Sequence, residues 1–156
     1  MTNDYHFITH WHVAGRIEQV YDVIANPVEY PRWWTQVYLE TEELAGGDKR
    51  GVGRRFRLHT RGFLPYTLRW ESSTIEVKRP HRLEIRATGD FNGRGIWTLR
   101  QNGPAVDVDF DWKLTADKPL IRYLSFLLKP LFSANHRWAM RKGQEGLIRE
   151  LRNAQS

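Results

Sequence analysis

PLIRYLSFLLKPLFSANHRWAMRKGQEGLIRELR, residues 119–152, opens as an apolar stretch and closes as an amphipathic helix. From Asn135 onward His136, Met140, Gly143, Leu147 and Leu151 share one stripe, and Arg137, Arg141, Glu145, Arg149 and Arg152 share the other. Such a helix has one face to bury. Gly143 and Gly146 lie inside it, and an interior glycine costs about 1 kcal/mol relative to alanine. They imply a surface that approaches a neighbour closely or leaves room beside it. The apolar run Leu120–Phe132, with Lys118, Arg122 and Lys129 around it, suits a lid that starts the same helix and breaks at Pro130. Contact of this run with an anionic membrane surface is the less favoured alternative.

The neighbour of that helix is a sheet. Residues 5–13 alternate as a first strand, with Phe7, Thr9, Trp11 and Val13 on one side and His6, Ile8, His10 and His12 on the other. Ile17, Val20, Tyr21 and Ile24 then recur at helical spacing until Pro27, and a second short helical segment covers Val28 to Trp33. Strands follow near 36–44, 52–60, 64–77, 81–90, 93–101 and 104–115, separated by AGGDKRG, TRGF, VKRPH, DFNG and QNGP. In the last of them Val106, Val108, Phe110, Trp112 and Leu114 point one way, and Asp107, Asp109, Asp111 and Lys113 the other. Leu83, Ile85, Ala87, Gly95, Trp97 and Leu99 likewise oppose Arg82, Glu84, Arg86, Arg94 and Arg100. A sheet apolar on one face and charged on the other needs cover on one side only, and the final helix is the long element available. The expected class is α+β, with an antiparallel sheet folded around one helix and residues 1–156 forming a single domain.

Composition excludes several functions. With no cysteine there are no disulfides, thiolate metal sites or cysteine nucleophiles. MTNDYHFITHWHV has no secretory pattern, and Arg122, Lys129 and Pro130 interrupt the best apolar run, so the expectation is a soluble cytoplasmic protein. The formal charge of +6 is interspersed with acids, which argues for a solvated basic face and against nucleic acid. His6, His10 and His12 have the spacing of a strand zinc site, but they fall on the outer side without further ligands, and no metal or other cofactor is expected. Ser72 and Ser73 lack the context of a hydrolase nucleophile, and no glycine pattern suits a phosphate loop.

Five segments carry a resemblance: VAGRIEQVYDVIANPVEYPRWW (13–34), GVGRRF (51–56), YTLRWES (66–72), DFNGRGIWTL (90–99) and NHRWAMRKGQEGL (135–147). In their order and spacing the chain resembles the SRPBCC superfamily of START, polyketide cyclase/dehydrase and Bet v 1-like proteins, in particular its bacterial polyketide cyclase/dehydrase-like members. The resemblance implies the helix-grip fold, a curved seven-stranded antiparallel sheet wrapped around the long C-terminal helix with a ligand cavity between them. It further implies binding of a hydrophobic small molecule such as a lipid, quinone, aromatic or polyketide-like metabolite. A polyketide cyclase or aromatase using the same cavity is the alternative.

Candidate ligand-binding residues are Phe56, Leu58, Tyr66, Leu68, Trp70, Trp97, Phe110, Trp112, Phe132, His136 and Met140. Their rings suit a mostly apolar cavity and suit ordinary core packing equally well; the resemblance tips the balance toward a cavity. Tyr66 and His136 are the candidates for acid–base chemistry. No carboxylate is placed by sequence to orient His136, so a structural histidine bonded to backbone or to a ring hydroxyl is the stronger expectation. Arg69 alternates away from Tyr66 and Trp70, which leaves the arginine found in some cyclase pockets without a counterpart on this strand. Trp33 and Trp34 close one end of the cavity or the core beneath the short helices, and are candidates for a gate.

Overall fold

The computed structural model describes residues 4–116 and 119–155, with side chains at 4–115 and 129–154. Strand β1 (Asp4–Ala14) is followed by helix α1 (Ile17–Ile24), a 3-10 turn (Pro27–Glu29) and helix α2 (Tyr30–Trp33). Six strands come next, β2 (Tyr38–Ala45), β3 (Arg55–Arg61), β4 (Thr67–Lys78), β5 (Arg82–Gly89), β6 (Phe91–Asn102) and β7 (Ala105–Ala116), and then α3 (Pro119–Gln155). The strands form one antiparallel sheet in the order β1-β7-β6-β5-β4-β3-β2. Register shifts in the β2–β3 pair and between Thr74 and Glu76 add the local bend and twist that curve the sheet. This is the helix-grip arrangement.

The alternation read from sequence holds on both faces. Val106, Val108, Phe110 and Trp112 of β7 are buried, as are Leu83 and Ala87 of β5 and Trp97 and Leu99 of β6. On the other face ion pairs bridge strands, among them Arg55–Glu71 at 3.2 Å, Arg82–Glu76 at 2.8 Å and Arg100–Asp107 at 3.1 Å. The three β1 histidines belong to this ladder. His6 meets Asp111 at 2.8 Å, His10 meets Asp109 at 2.8 Å and His12 meets Asp107 at 2.7 Å, all aspartates of β7. Among the described residues no cluster of metal-ligating side chains forms.

Gln101 ties the start of the short helices to the sheet. Its Oε1 accepts from the Ile17 amide at 2.7 Å, satisfying a donor at the head of α1, while its Nε2 lies 3.0 Å from the Gly15 carbonyl. The buried face of α1 is Ile17, Val20, Tyr21 and Ile24, as the spacing predicts.

Helix α3 departs from expectation at Pro130, which lies inside the helix and does not break it. Proline removes one N–H from the ladder, and the helix continues on both sides of that gap. Further along, Met140, Leu147 and Leu151 are buried, each worth about 1.5–3 kcal/mol relative to exposure. The glycines explain themselves here. A β-carbon on Gly143 would sit 2.5 Å from Trp34 Cε2, and one on Gly146 would run into the Trp33 carbonyl. No helix among the described residues is long and apolar enough to cross a membrane.

Candidate functional site

Between the concave face of the sheet and α3 lies a cavity of about 190 Å3. Its walls follow from strand alternation, since every second residue of β3 to β7 points inward. Phe56, Leu58 and Thr60 come from β3, and Tyr66, Leu68, Trp70, Ser72 and Thr74 from β4 and the turn before it. Trp97 of β6 and Phe110 and Trp112 of β7 form the far wall, and Phe132, His136 and Met140 descend from α3. All eleven residues singled out from the sequence therefore line one cavity.

The rings are wall and core at once. Trp97 stacks on Phe110 with centroids 4.1 Å apart, Phe110 stacks on Trp112 at 5.3 Å, and Trp112 leans on Trp70 at 5.8 Å. Gly95 makes this slab possible, because a β-carbon there would lie 2.7 Å from Phe110 Cε1 and 2.8 Å from Trp112 Cε3. Trp33 and Trp34 are 5% and 3% exposed, so neither is a gate. Trp34 lines the cavity and donates from Nε1 to the Ala139 carbonyl at 2.9 Å, and Trp33 packs beneath α3.

Most polar side chains on the lining are uncharged. Trp70 Nε1 donates to Thr60 Oγ1 at 3.1 Å, and the Tyr30 hydroxyl donates to the Ile24 carbonyl. Burial raises the pKa of Tyr30 and Tyr38, and it pushes Tyr66 up to about 12, with Tyr5 adding to the effect. His136 is pushed the other way, to about 4, by burial and then by the neighbouring Arg137 charge. Its imidazole is neutral at pH 7. It stacks on Phe7 with centroids 4.2 Å apart and planes 19° from parallel. Nε2 is fully enclosed and has no hydrogen-bond partner, so the expected bond to backbone or hydroxyl is absent at that atom.

Tyr66 and His136 come to the same end of the cavity through a run of rings. Tyr66 meets Phe132 edge-on at 6.2 Å, Phe132 meets Tyr5 at 6.3 Å, Tyr5 stacks on Phe7 at 5.8 Å, and Phe7 stacks on His136. The formally charged residues among the described lining are Arg61 and Asp90. Arg61 is the exposed residue of that lining and donates to the Gln36 carbonyl at 3.3 Å, which puts the mouth beside the β3–β4 turn. Asp90 accepts from the Arg69 amide at 2.8 Å, while the Arg69 side chain is on the exposed face.

At the mouth the structure adds residues that the sequence reading did not single out. Asn135 Oδ1 accepts from the Leu64 amide at 3.1 Å, and Gly62 lies so close to the Asn135 amide that no side chain would fit between them. Phe63, 47% exposed, meets Trp138 edge-on at 6.1 Å. The TRGF turn and an asparagine beside the helix's apolar stripe were the available signals. The lid expected at Leu120–Phe132 falls mostly on side chains outside the described residues. Within them, Phe132 lines the cavity and Lys129 Nζ donates to the Asp4 carbonyl at 2.7 Å.

The family model described as "Polyketide cyclase / dehydrase and lipid transport" matches residues 6–153. The chain belongs to this family. Among solved structures it resembles a protein of Thermus thermophilus at 17% identity, covering 97% of this chain and 100% of that one with a TM-score of 0.82. A START superfamily protein of Mycobacterium smegmatis matches at 13% identity over 96% and 98% of the two chains, TM-score 0.77. The Zhui aromatase/cyclase of a Streptomyces species matches at 14% identity over 98% and 96%, TM-score 0.72. At these identities the likeness establishes the fold. No curated protein matches the sequence.

Proposed function

We propose that this family member binds a hydrophobic small molecule in the cavity under α3 and releases it unchanged. The observation that carries the reading is a ring-walled void of about 190 Å3 whose polar lining is largely uncharged. Burial of apolar ligand surface supplies affinity at about 25 cal/mol per Å2, and Tyr66 and His136 set orientation. Lipids, quinones, aromatic compounds and polyketide-like metabolites all meet this chemistry.

A second reading, cyclisation of a polyketide, draws support from the family description and from Tyr66 and His136 sharing one end of the cavity. The ionisation of these groups weighs against it. General acid–base catalysis is most efficient when the group's pKa lies near the working pH. A histidine pushed down to about 4 is a weak base, and a tyrosine pushed up to about 12 is a weak acid. The binding reading is therefore the stronger one.

Native mass spectrometry of the purified protein, followed by extraction of whatever is released, tests it. The expected result is a noncovalent apolar adduct recovered unaltered. A protein that stays empty after incubation with lipids, quinones and small aromatic compounds would refute binding. Conversion of a poly-β-ketone that is lost in both Tyr66→Phe and His136→Ala would favour the cyclase.

A further inference from the structure

Gly62 and Phe132 line the cavity, and their chain neighbours Phe63 and Leu131 turn outward, 47% and 42% exposed. The other exposed large hydrophobic side chains among the described residues, Ile8, Val28 and Ile75, stand on separate elements, β1, the 3-10 turn and β4. Leu131, Asn135, Trp138 and Lys142 follow one another at helical spacing along one stripe of α3. Asn135 accepts from the Leu64 amide, so the turn that carries Phe63 is fastened to the middle of this stripe, and Phe63 meets the half-buried Trp138 edge-on. Apolar side chains gathered in this way beside a cavity mouth mark a surface that meets something apolar.

The charges on the same stretch of α3 are of one sign. From Pro119 to Gln144 there is no aspartate or glutamate, and Arg137 and Arg141 are exposed with no acid partner among the described residues. Arg61 is exposed on the rim itself. Two acids lie close to this surface: Glu145, which meets Lys142 at 3.4 Å, and Asp90 on the lining, which accepts from the Arg69 amide. Apolar residues flanked by cations fit the interface of an anionic bilayer, where the former enter the acyl boundary and the latter meet lipid phosphates. A second copy of this face would instead set like charges against each other.

We propose that an anionic lipid bilayer is the partner of this rim, with Phe63, Leu131 and Trp138 entering the interface and Arg61, Arg137 and Arg141 meeting lipid phosphates. The inference rests on the reading that the cavity takes up an apolar molecule, which then passes from acyl chains to the ring-lined wall without crossing water.

Co-sedimentation of the full chain with vesicles of phosphatidylcholine alone, and of phosphatidylcholine with equimolar phosphatidylglycerol, tests it. The expected result is binding to the mixed vesicles that weakens as salt is raised, with little binding to the neutral ones. Arg137→Gln combined with Arg141→Gln should cost about fivefold in affinity per charge. Phe63→Ser, a change at an exposed position, should cost about tenfold. Because the chain has no cysteine, Phe63→Cys labelled with an environment-sensitive nitrobenzoxadiazole dye reports from the turn itself, and Thr88→Cys, exposed on the outer face of β5, is the control. On mixed vesicles the dye at position 63 should brighten and shift to the blue, and the dye at 88 should not. No binding to the mixed vesicles, binding that these variants leave unchanged, or a dye at 63 that stays silent on bound vesicles would overturn the inference. So would a dye at 63 that shifts with protein concentration in the absence of lipid, the sign of a second copy on this face. A protein that ignores vesicles yet carries an apolar adduct in native mass spectrometry would lose the membrane and keep the cavity's role. Vesicle binding by a protein that stays empty would leave the docking surface standing and take away its cargo.

Discussion

Replacing His136 with phenylalanine should flatten the acid side of the stability curve. In the native protein the imidazole is pushed down from 6.5 to about 4, whereas in the unfolded chain it returns to its ordinary value. Above pH 6.5 neither state holds the proton and the group contributes no pH dependence. As pH falls through 6.5 the unfolded chain takes up a proton that the folded one refuses, so stability drops with falling pH until the folded imidazole also titrates near 4. At about 1.4 kcal/mol per unit, the loss between pH 7 and pH 4 is of order 3 kcal/mol. Phenylalanine keeps the stack on Phe7 and has no proton to bind. The variant should also gain stability at pH 7, by up to about 1–3 kcal/mol, because an enclosed nitrogen without a partner is removed. Urea unfolding followed by tryptophan fluorescence at pH 8, 7, 6, 5 and 4 reads both effects. Every other titrating group is common to the two proteins, so the difference curve isolates position 136. Parallel curves from pH 7 to pH 4 would refute the reasoning, since they require an imidazole that titrates alike folded and unfolded.

Other substitutions probe the rest of the architecture. Gly146→Ala should lower the melting temperature, because the clash with the Trp33 carbonyl outweighs the helix propensity gained, with a net loss of about 1–3 kcal/mol by thermal denaturation. Thr60→Val keeps the shape of the wall and strips the acceptor from Trp70 Nε1, so urea unfolding should show a loss of about 1–3 kcal/mol. Asn135→Ala removes the acceptor of the Leu64 amide, and hydrogen exchange at that amide should accelerate while amides in the centre of β7 stay protected. Trp97→Ala should enlarge the cavity at a stability cost of about 3–5 kcal/mol, read by urea unfolding.

Most of the fold and the cavity wall were legible in the sequence because they rest on local periodicity. Strand alternation assigned Leu83, Trp97, Phe110 and Trp112 inward and the arginine–aspartate ladder outward, and glycine and proline clusters marked the turns. What was illegible depends on chain segments far apart in sequence. Pro130 reads as a break because it removes a hydrogen bond, yet one missing bond is a local cost that the rest of a long helix can absorb. The stack of His136 on Phe7 joins α3 to β1, and nothing around either residue announces the other. Asn135 sits one position off the apolar stripe, where sequence alone suggests solvent, yet it holds the β3–β4 turn. For Trp33 and Trp34 spacing could not separate a gate from a core, and their burial beside two glycines does.

Those glycines also account for where the void lies. At Gly143 and Gly146 the absence of a side chain lets α3 settle onto Trp34 and the Trp33 carbonyl, so this half of the helix meets its neighbours without a gap. Over the three turns before Gly143 the inward positions carry Met140, His136 and Phe132, all on the cavity lining. The lining contributed by α3 stops at Met140, immediately before the close approach begins. The sheet cannot follow the helix inward over this half, because its own face is already filled by the Trp97–Phe110–Trp112 stack packed ring on ring. The void therefore lies along the part of α3 that faces the sheet with side chains, before the glycines that bring it into contact. Trp34, bonded to the Ala139 carbonyl, and Asn135, which pins the β3–β4 turn, both line that void, so residues that fasten the helix to its neighbours also bound the site.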